Sequence, residues 1–229
     1  TLFSTVQQKR NLMGELFVPN PSRHDVSSFQ ILVEGKQIDP SYQVISISVS
    51  REVNRIPTAK IMIRDGEAAE RDFEISNSDD FLPGKKIRIK IGLDGNNNQA
   101  FEGIIVKHAI KISTNGNSML QVECFDAAVR MSVGRHSRYY TQVSDSRLFD
   151  EVVSQYSGLS VDAENTSLTH KEIVQHHISD WDFILLRAEA NGMLVRVEDG
   201  KLGITKPNTS AKPVLQLTYG SSIIEFEAE

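Results

Sequence analysis

Hydrophobic residues recur at every second position from Phe29 to about Asp126, and at every third or fourth position in two later stretches. Phe29–Val33 reads as a strand, with Gly35 as the turn before Ile38. Ile45, Ile47 and Val49 alternate with Ser46, Ser48 and Ser50, the pattern of a half-buried strand with a polar outer face. Ala59, Ile61 and Ile63 alternate with Lys60, Met62 and Arg64, on a strand whose start is limited by Pro57. Pro83-Gly84 introduces Ile87, Ile89 and Ile91, and a Gly95–Asn98 loop precedes a long run from Phe101 to Ile112, in which Ile104, Val106, Ile110 and Ile112 share a face. Asn115-Gly116 predicts a hairpin, with Leu120, Val122 and Cys124 on the returning strand. About six strands with hairpin-like connections predict an antiparallel barrel or sandwich.

The period changes near residue 144. Leu148, Phe149, Val152, Val153 and Tyr156 share a helical face, opened by Ser144 or Ser146 and stopped by Gly158. A polar connection, Ser160 to His170, and a short Ile173-Val174 strand follow. Ser179 then caps a second helix, with Asp182 three residues on, and Trp181, Ile184, Leu185 and Ala188 form its buried stripe. Asn191-Gly192 ends that helix. Met193, Val195 and Val197 alternate into a hairpin that turns at Asp199-Gly200 and returns through Leu202 and Ile204. Val214–Tyr219 and the run from Ser221 to Glu229 read as further strands. The expected organisation is an arm over 1–28, an antiparallel barrel or sandwich over 29–140, an α+β domain over 141–215, and a last strand over 216–229. The expected class is mainly β with an α+β portion.

Composition narrows the function classes. A length of 229 residues accommodates one large or two modest domains, and 39% hydrophobic with 24% charged residues is ordinary for a packed fold. The formal net charge of -5 argues against nucleic acid as the main partner. A single cysteine, Cys124, excludes an internal disulfide framework and cysteine-cluster zinc sites. No apolar run approaches the ~20 residues of a membrane span. The chain opens on Thr1 without a secretory signal, which suggests trimming and leaves a lost leader open.

Catalytic and metal chemistry finds little support. His170, His176 and His177 cluster in sequence, but His176 and His177 are adjacent, so on an extended segment they face opposite ways and make a poor chelating pair. No HExxH, GxSxG, GxGxxG or Walker A pattern occurs. A Cys124–His108 pair on neighbouring strands is conceivable, but a buried small thiol is the plainer reading. Asp180 and Asp182 flank Trp181 where capping explains them, and Asp79-Asp80 reads as a solvated loop. Lys85, Lys86, Arg88 and Lys90 alternate with isoleucines, as on the polar face of a strand, or as a patch for an acidic partner. Arg130, Arg135 and Arg138 with Tyr139-Tyr140 have the residue types of a single-strand nucleic-acid platform, without a recognition module. No catalytic, cofactor-binding or metal residue is expected.

Several of these segments together resemble a known family. Phe81-Leu-Pro-Gly-Lys-Lys-Ile-Arg-Ile-Lys-Ile-Gly92 followed by Phe101-Glu-Gly-Ile-Ile-Val106 resembles the strand pair of VgrG spike proteins (the Rhs element Vgr family) and phage late-control D proteins. Phe125-Asp126-Ala127, the Ser144–Gly158 helix, the Ser179–Gly192 helix and Tyr219–Ala228 continue in the family's order. The resemblance implies that residues 29–140 form a tube-like β-barrel of the phage tail-hub type, that 216–229 are the first strand of a truncated second barrel, and that the protein is a non-enzymatic hub of a type VI secretion-like injection apparatus. It implies a homotrimer in the full-length protein, docking onto a hexameric tube, with spike-tip or effector proteins beyond. It implies assembly in the cytoplasm and then export through the apparatus, with no nucleic-acid partner and no membrane insertion by this segment. A phage or phage-derived tail baseplate hub is the near alternative, and a peptidoglycan hydrolase the distant one.

Overall fold

The alternation in the first half builds one seven-stranded antiparallel sheet. A computed structural model describes residues 26–66, 72–112, 118–213, 215–220, 223 and 225–227. The strands are β1 (Ser27–Val33), β2 (Lys36–Gln37), β3 (Val44–Ser50), β4 (Thr58–Arg64), β5 (Lys86–Leu93), β6 (Asn96–Lys111) and β7 (Met119–Phe125). Their order is β2-β1-β5-β6-β7-β4-β3. Ile31, Ile61, Ile63, Ile87, Ile89, Leu120 and Val122 lie on one face and are buried with Phe81 and Phe101. The alternate positions, Lys60, Arg64, Lys86 and Arg88, are exposed. A short helix, α1 (Glu74–Asn77), contributes Ile75 to the same core.

The ladder is not closed by hydrogen bonds, because β1 and β3 do not pair. The sheet curls nonetheless, since Ser28 and Phe29 of β1 line the same cleft as Val44 and Ile47 of β3. The expected barrel is therefore a curled sheet with one seam. A register shift between Val44 and Ser46 marks the β3 side of it, and β2 reaches only Leu32 and Val33 of β1.

Tight turns set the register. Glu34-Gly35, Asp94-Gly95 and Asp199-Gly200 all place both central residues at positive φ, as two-residue hairpins require. The loop expected at Gly95–Asn98 is thus shorter: Asn96, Asn97 and Asn98 already pair with Leu93, Gly92 and Ile91. The polar asparagines belong to the strand because the turn is complete after two residues. Asn115-Gly116 lies outside the described residues. Gly103 marks a close approach, since a Cβ there would sit 2.2 Å from the Phe125 carbonyl oxygen.

The second half forms a separate core. After a 3-10 helix at Ala127–Ser132 come β8 (His136–Ser144), α2 (Asp145–Val153), β9 (Ser160–Ala163), β10 (Thr169–Ile178), α3 (Asp180–Ala190), β11 (Leu194–Glu198) and β12 (Lys201–Thr205). β8 pairs with β10, and β11-β12-β9 make a small sheet in which β12 and β9 are parallel. Leu148, Phe149, Val152, Trp181, Phe183, Ile184, Val195, Leu202 and Ile204 are buried together. Ser144 is the cap of α2, its Oγ accepting from Arg147 N–H at 3.5 Å. Ser179 caps α3, accepting from Asp182 N–H at 3.1 Å and donating to Asp182 Oδ2 at 2.6 Å.

Three expectations need correction. The polar connection Ser160–His170 contains β9, which is built by parallel pairing with a strand far along the chain. The Ile173-Val174 strand is ten residues long, because β8 supports it along its length. Among the described residues of Val214–Tyr219 no continuous strand runs: Leu215 and Tyr219 are isolated bridges, and the residues between them are irregular. The extreme N-terminal arm lies outside the described residues.

Candidate functional site

Two buried aspartates organise the second body, and each opens a helix. Asp145, first residue of α2, accepts from Arg187 Nε at 2.6 Å, Arg187 Nη2 at 3.0 Å and Asn191 Nδ2 at 3.0 Å, with His170 Nε2 at 2.9 Å. Burial raises its carboxyl, but the bonds from Arg187, Asn191 and His170 outweigh that and bring it down to about 2. Asp180, first residue of α3, accepts from Tyr156 Oη at 2.7 Å, Gln175 Nε2 at 2.7 Å and Arg138 Nη1 at 3.2 Å. Burial, together with the Asp180 charge, pushes the Tyr156 hydroxyl up to about 12. Each oxygen of both carboxylates accepts at least one hydrogen bond from a side chain of the same body.

The two bodies meet through the β11–β12 hairpin. Asp126, at the end of β7, accepts from Ala128 N–H at 2.8 Å and from Gly200 N–H at 2.9 Å. Burial raises its carboxyl, and those two N–H groups oppose the shift. Asp199 accepts from Gln99 Nε2 at 2.6 Å and from Glu102 N–H at 3.1 Å, and Arg51 Nη1 reaches Glu198 at 3.1 Å. Asn54, at φ 61°, donates its N–H to the Val195 carbonyl at 2.7 Å and accepts from Val195 N–H at 2.8 Å. This is a strand-like pairing by one residue, and it clamps the edge of β11 to the first body.

The residues weighed for chemistry are dispersed. Cys124 is fully buried opposite Ala59 and Ile105, and burial pushes its thiol up to about 12. His108 lies opposite Val122, with Nδ1 3.3 Å from the Phe81 carbonyl, so no Cys–His pair forms. His177 sits at positive φ beside a register shift in β10 and donates its N–H to Ser137 Oγ, while His170 belongs to the Asp145 network. Asp80 accepts from Tyr42 Oη at 2.6 Å. Arg130 donates to the carbonyls of Ala127 and Ser157, and Arg138 is spent on Asp180. Arg88 pairs with Glu102 at 2.7 Å on the outer face of the sheet. Asp180 does more than cap: it is the centre of a buried network, whose partners lie up to 42 residues away. Among the described residues no group of three or more metal-ligating side chains converges.

Another surface feature, among several exposed apolar side chains, lies at the seam. Phe29, Ile45, Ile91 and Leu93 are exposed around the seam. No helix among the described residues is long and apolar enough to cross a membrane.

A mainly β module of curled antiparallel sheet followed by a helix–hairpin body is the fold of phage tail and type VI secretion-related proteins. The tail protein from Neisseria meningitidis MC58 matches with a TM-score of 0.57 at 16% identity, over 82% of this chain and 53% of that one. The prophage MuSo2 43 kDa tail protein from Shewanella oneidensis matches at 0.57 and 11% identity, over 79% and 53%. A type VI secretion component of E. coli, described as similar to T4 bacteriophage tail proteins, matches at 0.55 and 9%, over 76% and 48%. This chain therefore spans about half the length of the tail proteins it matches. No curated protein matches it. The chain belongs to the Alg8 N-terminal domain family, whose model covers residues 23–229.

Proposed function

We propose that this chain is a structural, non-enzymatic hub module of a contractile injection apparatus of the type VI kind, seated between tube and spike in the manner of VgrG. The observation that carries the reading is the tail-protein fold extending over 82% of the chain. The clamped junction supports it: hydrogen bonds accepted by Asp126, Asp199 and Asn54 join the two bodies into one stiff unit. In this reading three full-length copies form a ring that docks on a hexameric tube, and spike-tip or effector proteins ride beyond it. The protein assembles in the cytoplasm and leaves through the apparatus, without entering the membrane or binding nucleic acid.

Electron microscopy of the complete protein mixed with its tube protein tests this reading. Threefold particles capping tube ends are expected, and tubes that stay bare in the presence of excess protein refute docking. A phage-derived tail hub is the second reading, favoured by the likeness to a prophage tail protein. A peptidoglycan hydrolase is disfavoured by the saturation of Asp145 and Asp180. A cleared band on a peptidoglycan zymogram would reverse that judgement.

A further inference from the structure

We propose that the seam between β1 and β3 is a strand-acceptor groove, which takes an extended, uncharged segment of a partner polypeptide. This inference stands on the seam's own geometry and does not depend on the hub reading.

Three observations carry it. First, both walls are strand edges with no backbone partner among the described residues: the outer edge of β3, and β1 before Ile31, whose carbonyl accepts from Ile38 N–H. An unpaired edge presents a row of donors and acceptors to a further strand. Second, the cleft holds about 180 Å³ over a floor of Phe29, Val44, Ile47 and Ile91. Small-molecule sites run to roughly 300–1,000 Å³, so this space suits one aliphatic side chain projecting from a strand. Third, its rim is Ser27, Ser28 and Ser46, and among the described residues no charged one lines it, although 24% of the chain is charged. A charged occupant would find no counter-ion.

The size of the patch selects a strand over a globular face. Phe29, Ile45, Ile91 and Leu93 are 46%, 53%, 39% and 48% exposed. Together they offer on the order of 300 Å² of apolar surface. A stable globular interface needs about 800 Å² per partner. An added strand gains its remaining affinity from main-chain bonds to β3, and alternate side chains supply specificity.

The test uses the whole chain and a fluorescein-labelled, end-blocked peptide, Thr-Val-Thr-Ile-Thr-Val-Thr. Saturable, salt-independent binding is expected. It should slow hydrogen exchange at the β3 amides that do not bond β4. Ile45→Lys should weaken binding at least tenfold with the melting temperature unchanged, as its position is half exposed. Phe29→Ser serves as the second variant should Ile45→Lys fail to fold. Changing the central isoleucine of the peptide to lysine should abolish binding. No binding at millimolar peptide, equal binding by both folded variants, or outer β3 amides already slow in the isolated chain would each overturn the proposal. So would sedimentation showing that a second copy of the chain already covers the patch.

Discussion

Acid should weaken the second body through one identifiable carboxylate. In the folded chain Asp145 stands at about 2 against an ordinary 3.8, because Arg187, Asn191 and His170 bond its charged form more strongly than burial penalises it. A depressed carboxylate contributes stability that is full above the unfolded value and disappears as pH falls through the folded one. The window is therefore from about pH 4 to about pH 2. The depression, at ~1.4 kcal/mol per pH unit, corresponds to about 2 kcal/mol. Asp126 works in the opposite sense. Its carboxyl is raised by burial, so its contribution is present below the ordinary value and lost as pH rises through the folded value.

Comparison with Asp145→Asn isolates the Asp145 contribution, because the other groups are common to both chains. Urea unfolding of both proteins at intervals between pH 7 and pH 2 should show the variant less stable at neutrality by about 2–4 kcal/mol. The gap should close by about 2 kcal/mol as the wild-type carboxylate protonates. Curves that stay parallel across that window would refute the assignment, whatever the offset between them.

The other predictions address packing, reactivity and the junction. Gly103→Ala places a methyl against the Phe125 carbonyl and the Phe101 ring and should cost about 3 kcal/mol in urea unfolding; a cost under about 1 kcal/mol would show that β6 and β7 have room to part. Cys124, with its thiol pushed up to about 12, should react with a thiol reagent at pH 8 only at the rate of unfolding, so rapid reaction in the native protein would contradict its burial. Asn54→Gly keeps the positive φ but removes the Oδ1 acceptor of Val195 N–H. It should cost about 1 kcal/mol and speed exchange of the Val195 amide; an unchanged exchange rate would remove Asn54 from the clamp.

The first body was legible because its determinants are local. A two-residue alternation names the buried face of β1, β4, β5 and β7, and Gly35 names a turn from chemistry that needs no distant partner. It misleads in the run through β6, where Val106, Ile110 and Ile112 are exposed and Phe101 and Ile105 are buried. What remained hidden was pairing across distance. Ser160–Ala163 offers four residues with weak alternation, and it is a strand only because β12 returns beside it. His136–Ser144, rich in arginine, tyrosine and serine, shows no clean period, and its apolar side is distributed between Tyr140 and Val143. The closure of the barrel was equally out of reach, because alternation specifies which face is buried and says nothing of whether the last edge meets the first.

The same division explains why the polar residues were misjudged. Asp180 looks like a capping residue in sequence, since Ser179 precedes it and Asp182 follows. Only the three-dimensional fold brings Arg138 from β8 and Tyr156 from beyond α2 to its side chain. Asp145 is built on the same plan: a serine cap, an aspartate at the first helical position, and an arginine from another element. Each network fixes where a helix begins relative to a strand it does not directly follow. An isoleucine core tolerates small slippage, since apolar contacts are non-directional. A buried carboxylate with three or four donors does not, because displacement leaves a charge unpaired at a cost of about 3–5 kcal/mol. The first body is therefore defined by pattern and the second by polar registration. Conservative apolar substitutions should be absorbed in the sheet, while Arg138→Lys or Arg187→Lys should loosen the α+β body out of proportion to their size.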